Sequence, residues 1–281
     1  MRMELATDPG HPERPNEDYV SVALPASGQG GSLVLLDGVT PPAGDDGCLH
    51  SVHWFTARLG GTLGELSVSR RDLTLAEVLG HAIGRTADTH RDTCDLSHPR
   101  TPQATVVLAR WDADRVEYLV LSDSALLVEG PNGSVTAVLD DRLDTLPPRV
   151  RELGAAARAL PHGSAEREAA VGEYRAAVEA LRNAEGGFFT AAADPSVAAR
   201  AVTGTLPRAE VTALAALTDG AGRWVEMFDE GSWADCFALL RKEGPRSLID
   251  RVRALETARA ESGPAFRWKA HDDAAAVFAE L

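Results

Sequence analysis

Ser32-Leu33-Val34-Leu35-Leu36-Asp37-Gly38 is an apolar run closed by an acid and a glycine. It is too short for a helix and reads as a strand, with the Asp-Gly step as the turn that ends it. Four comparable stretches punctuate the chain: Asn16-Glu17-Asp18, Ser122-Asp123-Ser124, Thr218-Asp219-Gly220 and His271-Asp272-Asp273. Four of the five follow an apolar run, which places their carboxylates at strand ends, where several can converge. Gathered carboxylates repel one another unless cations hold them. An all-oxygen donor set favours hard divalent ions, Mg2+ or Mn2+, over zinc.

Outward from this strand, Tyr19 to Leu24 alternates loosely and Pro25 to Gly31 is rich in Gly and Ser, predicting a hairpin that ends at Asp37. Leu49 to Leu63 carries apolar residues at irregular helical spacing. Thr74 to Ile83 predicts a clearer helix, with Thr74 and Glu77 as a capping box. Ala104 to Ala109 and Val116 to Leu121 form a second hairpin, and Ala125 to Val128 and Val135 to Leu139 flank the turn-forming Asn132-Gly133 step. The middle of the chain thus reads as an antiparallel meander. Further on, Val211 to Leu217 and Ala274 to Phe278 read as strands, Asp194-Pro195 as a helix start, and Leu248, Val252 and Leu255 as the face of a last helix.

Between about 149 and 187 the composition turns Ala-, Glu- and Arg-rich, and Val171, Tyr174, Val178 and Leu181 recur at helical spacing. The expectation is a single α+β domain over 1–281 with a helical insertion there. Nothing marks a repeat or a low-complexity linker.

Acids outnumber bases 42 to 28, giving a formal net charge of -14. That balance argues against nucleic acid and anionic membranes as partners. No apolar run is long enough to span a bilayer and the N-terminus lacks a signal-like core, so a soluble, cytoplasmic protein is expected. A chain rich in Ala, Arg and Gly and poor in Lys fits a GC-rich bacterial genome. Cys48, Cys94 and Cys236 are far apart in sequence and form no CxxC pair, which predicts reduced, structural thiols with neither a disulfide framework nor a zinc site.

Taken in order, the five acidic motifs resemble those of the metal-dependent serine/threonine phosphatases of type 2C (PPM), over nearly the whole chain. Arg14 to Asp18 is similar to the family's opening Arg…Asn-Glu-Asp segment and Asp37-Gly38 to its Asp-Gly motif. Ser122-Asp123-Ser124 is similar to its Gly-Asp-Ser, Thr218-Asp219-Gly220 to its Ser-Asp-Gly, and His271-Asp272-Asp273 to its closing Asp-Asn or Asp-Asp. The resemblance implies a four-layer αββα sandwich of two antiparallel sheets, with two divalent ions and a third, weaker one in a cleft at one edge. It assigns Asp37 as the bridging ligand, the Gly38 carbonyl to the first ion, Asp219 and Asp272 to the second, and Asp123 to the third. Glu17 and Asp18 would act through metal-bound water, and Arg14 would clamp phosphate.

The implied reaction is hydrolysis of phosphoserine or phosphothreonine in proteins by a bridging hydroxide, with Asp37, Asp219 and Arg14 as catalytic residues. The chain departs from the usual pattern in two places: Arg14 stands four residues before Asp18 rather than five, and Val39-Thr40-Pro41-Pro42 replaces Met-Gly-Gly or His-Gly-Gly. The second departure removes a histidine that serves some members as general acid, leaving His50 and His53 downstream. A small phosphorylated metabolite is the alternative substrate, and a phosphoprotein-binding or regulatory module the alternative of another class. Asp140, Asp141 and Asp144 are expected at the surface, and Arg182-Asn183 as a helix end. The 149–187 insertion falls where the family places a variable flap.

Overall fold

The computed structural model describes residues 2–27, 29–42, 44–161, 163–261 and 270–281, and the side chains of 260 and 261 are not described; Trp268 lies outside these ranges. Ten strands lie in two antiparallel sheets among the described residues. One sheet has β2 (Tyr19–Ala23), β3 (Gly31–Leu36), β4 (Val106–Trp111), β5 (Arg115–Leu121) and β8 (Val202–Pro207), side by side in that order. The other has the order β1 (Arg2–Asp8), β10 (Ala274–Glu280), β9 (Ala213–Leu217), β6 (Ala125–Glu129), β7 (Val135–Val138).

Because side chains alternate along a strand, each run of consecutive apolar residues serves two cores at once. Leu33, Leu35, Val107 and Val120 meet Leu126, Val128, Leu214, Ala216, Ala275 and Val277 between the sheets, with Trp111 and Val116 filling the end away from Asp37. Val34 and Leu36 point the other way, onto α1 (Val52–Ser69) and α2 (Leu75–Asp88), where Phe55, Leu59, Leu79 and Ile83 are buried. Leu127, Ala215, Leu217 and Phe278 likewise face α5 (Asp219–Glu226), α6 (Trp233–Glu243) and α7 (Pro245–Glu261). The result is the four-layer αββα sandwich. Each fully buried leucine contributes roughly 2 kcal/mol to it.

The inserted segment is a helical pair, α3 (Pro148–Ala159) and α4 (Ala165–Glu179). It has its own small core of Leu146, Val150 and Phe188, against which Tyr174, Val178 and Leu181 pack. No described residue of α4 is fully buried. The Thr74–Glu77 capping box is present in full.

Two sequence expectations change. The middle strands are not one meander: β4 and β5 belong to one sheet and β6 and β7 to the other, so Ser122-Asp123-Ser124 is a crossing between sheets. Nor do four of the acidic stretches close strands. Asp37, Asp123 and Asp219 follow β3, β5 and β9, whereas Asp18 precedes β2 and Asp272 precedes β10. Antiparallel pairing nonetheless brings starts and ends to one edge. Tyr19 pairs with Leu36, Val106 with Leu121, Ala276 and Ala125 with Leu217, and Asp8 with Ala274.

The crossing carries backbone strain. Ser122 has φ 70°, a left-handed conformation that favours glycine. Asp140 holds it, accepting the Ser122 amide at 2.8 Å while Arg142 grips the same carboxylate through Nε (2.6 Å) and Nη2 (2.5 Å). Asp140 is therefore buried and structural, a correction to its expected place at the surface. Ser122→Gly should raise thermal stability by about 1 kcal/mol, and Asp140→Ala should lower it by roughly 2 kcal/mol, as checked by chemical denaturation.

Candidate metal centre

The shared edge assembles from both sheets. Asp18 and Asp37 come from the β2–β3 side, Asp219 and Asp272 from the β9–β10 side, and Asp123 from the crossing. Asp219 opens α5, so its backbone N–H belongs to the positive end of that helix. The two Asp-Gly glycines permit the approach. A Cβ on Gly38 would lie 2.6 Å from the Glu17 carbonyl oxygen, and one on Gly220 would lie 1.9 Å from that of Asp273.

A set of short hydrogen bonds fixes the acids. Thr218 Oγ1 donates to Asp18 Oδ2 at 2.9 Å and accepts the Ala275 amide at 2.8 Å, tying Asp18 to β10. Thr105 exchanges bonds with Asp37, its Oγ1 accepting the Asp37 amide at 3.2 Å and its amide donating to the Asp37 carbonyl at 2.9 Å. The same hydroxyl lies 2.6 Å from Ser124 Oγ. Asp273 accepts the Gly10 amide on one oxygen and the Glu17 amide on the other, both at 2.7 Å, so it pins both ends of the loop that carries Arg14.

Glu17 Oε2 accepts a hydrogen bond from Thr40 Oγ1 at 2.5 Å. Arg14 itself is exposed. His53 Nδ1 lies 2.8 Å from the Asn16 carbonyl, which braces the Asn16-Glu17-Asp18 motif, while His50 is stacked on Trp54.

Electrostatics mark the cluster as strained. Burial, then the charges of Asp219, Asp18, Asp123 and Asp272, push Asp37 well above the usual carboxylate range. Asp18 is raised by burial and by Asp219, Asp273 and Asp272, against the hydrogen bond from Thr218. Asp219 is pushed up to about 7 by burial and by Asp272 and Asp123, with a hydrogen bond to Asp37 and the charge of Arg223 opposing. Asp123 is raised mainly by burial.

Among the described residues, one of these carboxylates meets a guanidinium directly: Asp272 Oδ2 accepts from Arg223 Nη2 at 2.9 Å. Arg223 also binds Glu256, which is fully buried and takes Arg253 and His271 as well. This network joins α5 and α7 to the start of β10.

The donor set fits divalent cations. Asp18 Oδ1 is buried without a hydrogen-bond partner, an orphaned oxygen beside like charges. Among the described residues, no three of these carboxylate oxygens close to within 4.8 Å of one another. An all-oxygen donor set of this kind suits Mg2+ or Mn2+ that keep part of their hydration shell.

Three residues near the cluster have no motif in the sequence to announce them. Glu226, in the last turn of α5, is raised to about 7 by burial of its carboxyl and by Asp144, Asp123 and Asp219. Asp144 is exposed, as expected, and also lies within electrostatic reach of Glu226. Arg182 stacks on Phe188, 5.0 Å from the ring centre, and its charge and that of Asp123 act on each other. Arg182 thus follows the end of α4, as expected, and is also within electrostatic reach of Asp123.

No family model and no curated protein matches the sequence. Solved structures do resemble the fold. The serine/threonine phosphatase Stp1 from Staphylococcus aureus aligns with a TM-score of 0.60 at 14% identity, over 99% of this chain and 94% of that one. The Mycobacterium tuberculosis serine/threonine phosphatase PstP/Ppp aligns with a TM-score of 0.58 at 14% identity, over 100% and 98%. The catalytic domain of the serine/threonine protein phosphatase PstP, in complex with two manganese ions, gives 0.56 at 16% identity over 99% and 97%. The chain has the fold of the type 2C (PPM) serine/threonine phosphatases.

A carboxylate whose pKa rises on folding stabilises the fold below its unfolded pKa and loses that contribution as pH rises through the folded value. For Asp219 the window runs from about 4 to about 7. In metal-free protein at pH 7.5, Asp219→Asn should therefore be more stable than wild type, by on the order of 2 kcal/mol. The difference should vanish at pH 4, and Mn2+ should raise the melting temperature of the wild type alone; calorimetry at both pH values checks this.

Proposed function

We propose that this chain is a metal-dependent phosphomonoester hydrolase that acts on phosphoserine or phosphothreonine in proteins. The observation that carries the reading is the convergence of Asp18, Asp37, Asp123, Asp219 and Asp272, all half-buried, at one sheet edge, with Asp18, Asp37, Asp123 and Asp219 raised in pKa. So much buried negative charge is costly in itself and gains a purpose only with cations. The PPM fold supports the same conclusion, and the serine/threonine phosphatases that share it support a protein substrate.

Asp37 would bridge two ions, with the Gly38 carbonyl on the first and Asp219 and Asp272 on the second. Asp18 and Glu17 would act through water, and Asp123 would hold a third ion. When bound, the ions would supply an acidified water and neutralise charge on the phosphoryl oxygens. The protein's share is positioning. Thr218 and Thr105 fix the orientations of Asp18 and Asp37, and Arg223 orients Asp272.

Arg14, on the loop pinned by Asp273, is the proposed clamp on phosphate, since a guanidinium can contact two oxygens at once. Neither His50 nor His53 is proposed as general acid, because one is stacked on Trp54 and the other is bonded to Asn16. The helical pair is proposed to contribute to substrate choice. Its base is tied in by Arg100, which grips Glu179 through Nε (2.5 Å) and Nη2 (3.1 Å).

Purified protein should hydrolyse p-nitrophenyl phosphate with Mn2+ and not with chelator. Asp37→Asn should lower kcat by roughly 10³-fold, and Arg14→Ala should act mainly on KM, by about tenfold. Phosphopeptides should be turned over in preference to sugar and nucleotide phosphates. Absence of metal-dependent turnover between pH 6 and 9 would leave a binding module as the reading, and preference for metabolites would replace the protein substrate.

A further inference from the structure

Cys48 and Cys94, distant in sequence, meet with their sulfurs 3.1 Å apart, and His90 Nδ1 lies 3.5 Å from Cys48 Sγ. This corrects the reading of the cysteines as isolated structural thiols, which holds only for the buried Cys236. Among the described residues it is the one group of three metal-ligating side chains whose donor atoms all fall within 4.8 Å of one another. We propose that Cys48, His90 and Cys94 form a Zn2+ site, separate from the acidic edge, that clasps the loop after Asp37-Gly38 to the segment before Ala104-Thr105.

Geometry supports a tetrahedral ion. Zn–S and Zn–N bonds of usual length put sulfur and nitrogen about 3.6 Å apart and two sulfurs about 3.8 Å apart. The first separation is already present. The second requires the sulfurs to part by well under 1 Å.

The surroundings suit thiolates. The Leu49 amide donates to Cys94 Sγ at 3.3 Å and the His50 amide to Cys48 Sγ at 3.4 Å, and partners of this kind orient and stabilise metal-bound sulfur. His90 is buried, 3% exposed, with its ring edge-on to Trp54 at 5.2 Å and to His50 at 5.8 Å, so its direction is set by packing. The Cys94 amide bonds the His90 carbonyl at 3.0 Å, a helical turn that presents residues four apart on one side. Asp46 Oδ1 accepts the Cys48 amide at 3.0 Å and shapes the opposing loop. Two sulfurs and an imidazole select zinc, whereas the oxygens of the acidic edge select Mg2+ or Mn2+. Binding releases the two thiol protons to solvent and leaves one coordination position beyond the three side chains.

Cobalt tests the site without reference to phosphatase activity. Reduced full-length protein in excess Mg2+ is titrated with Co2+, in wild type and in Asp219→Asn, which weakens the oxygen ligands. Both should give one equivalent of sulfur-to-cobalt charge-transfer absorption in the near ultraviolet with tetrahedral bands in the visible, and both should be bleached by Zn2+. Cys94→Ser should lose most of this absorption and bind Zn2+ roughly 10²-fold more weakly, without the rise in melting temperature that Zn2+ gives the wild type. Absence of the charge-transfer band in reduced wild-type protein overturns the proposal. If the same protein, left in air, loses two hydrogens in intact mass and joins Cys48 to Cys94, the pair is a redox couple and not a metal site.

Discussion

Mutual repulsion of buried carboxylates is the constraint around which this molecule is built. Five acids from two sheets meet at one edge, and the fold must hold them there at a cost that the raised pKa values of Asp37, Asp18 and Asp219 make plain. It does so with fixed donors: Thr218 on Asp18, two amides on Asp273, Arg223 on Asp272 and Thr105 across to Ser124. None of these neutralises Asp37 or Asp219. The unbalanced charge sits where the two sheets face each other, which is also where the chain crosses between them.

Much of this was legible in the sequence, because strands buried on both faces appear as short apolar runs and their ends as acid–glycine steps. Runs such as Leu33 to Leu36 need no partner to be recognised. The segments that escaped reading were those whose local preferences oppose their final state. Asp219-Gly220-Ala221-Gly222 holds two glycines yet opens a helix, since Gly220 has to admit the Asp273 carbonyl. β1 and β8 lie at sheet edges, half exposed and without a clear alternation, and their pairing with β10 and β5 is fixed by tertiary contact alone.

Individual site residues divide along the same line. Asp37, Asp123 and Asp219 sit in dipeptides with a turn signature. Glu226 is placed by the last turn of α5 and Arg182 by its bridge to Phe188 beyond the end of α4, and nothing in their immediate neighbours marks them out. Asp140 stands next to exposed Asp141 in sequence, and it is the left-handed Ser122 amide and the Arg142 guanidinium that distinguish the two. Cys48, His90 and Cys94 lack a recognisable spacing because they lie on either side of α1 and α2, whose packing on β3 and β4 brings the flanking loops together.

The interior between the sheets mixes large and small side chains. Trp111 and Val116 fill the end away from the acids, whereas Ala216 and Ala275, inward-facing, lie in the strand ends that lead to Asp219 and Asp273. Those two positions put only methyl groups into the layer between the sheets next to the cluster, so the filling of a hydrocarbon layer bears on the width of a polar gap. Bulkier side chains there would pry the two halves of the acid cluster apart like a shim under a hinge, altering the spacing of charged oxygens without changing a single one of them.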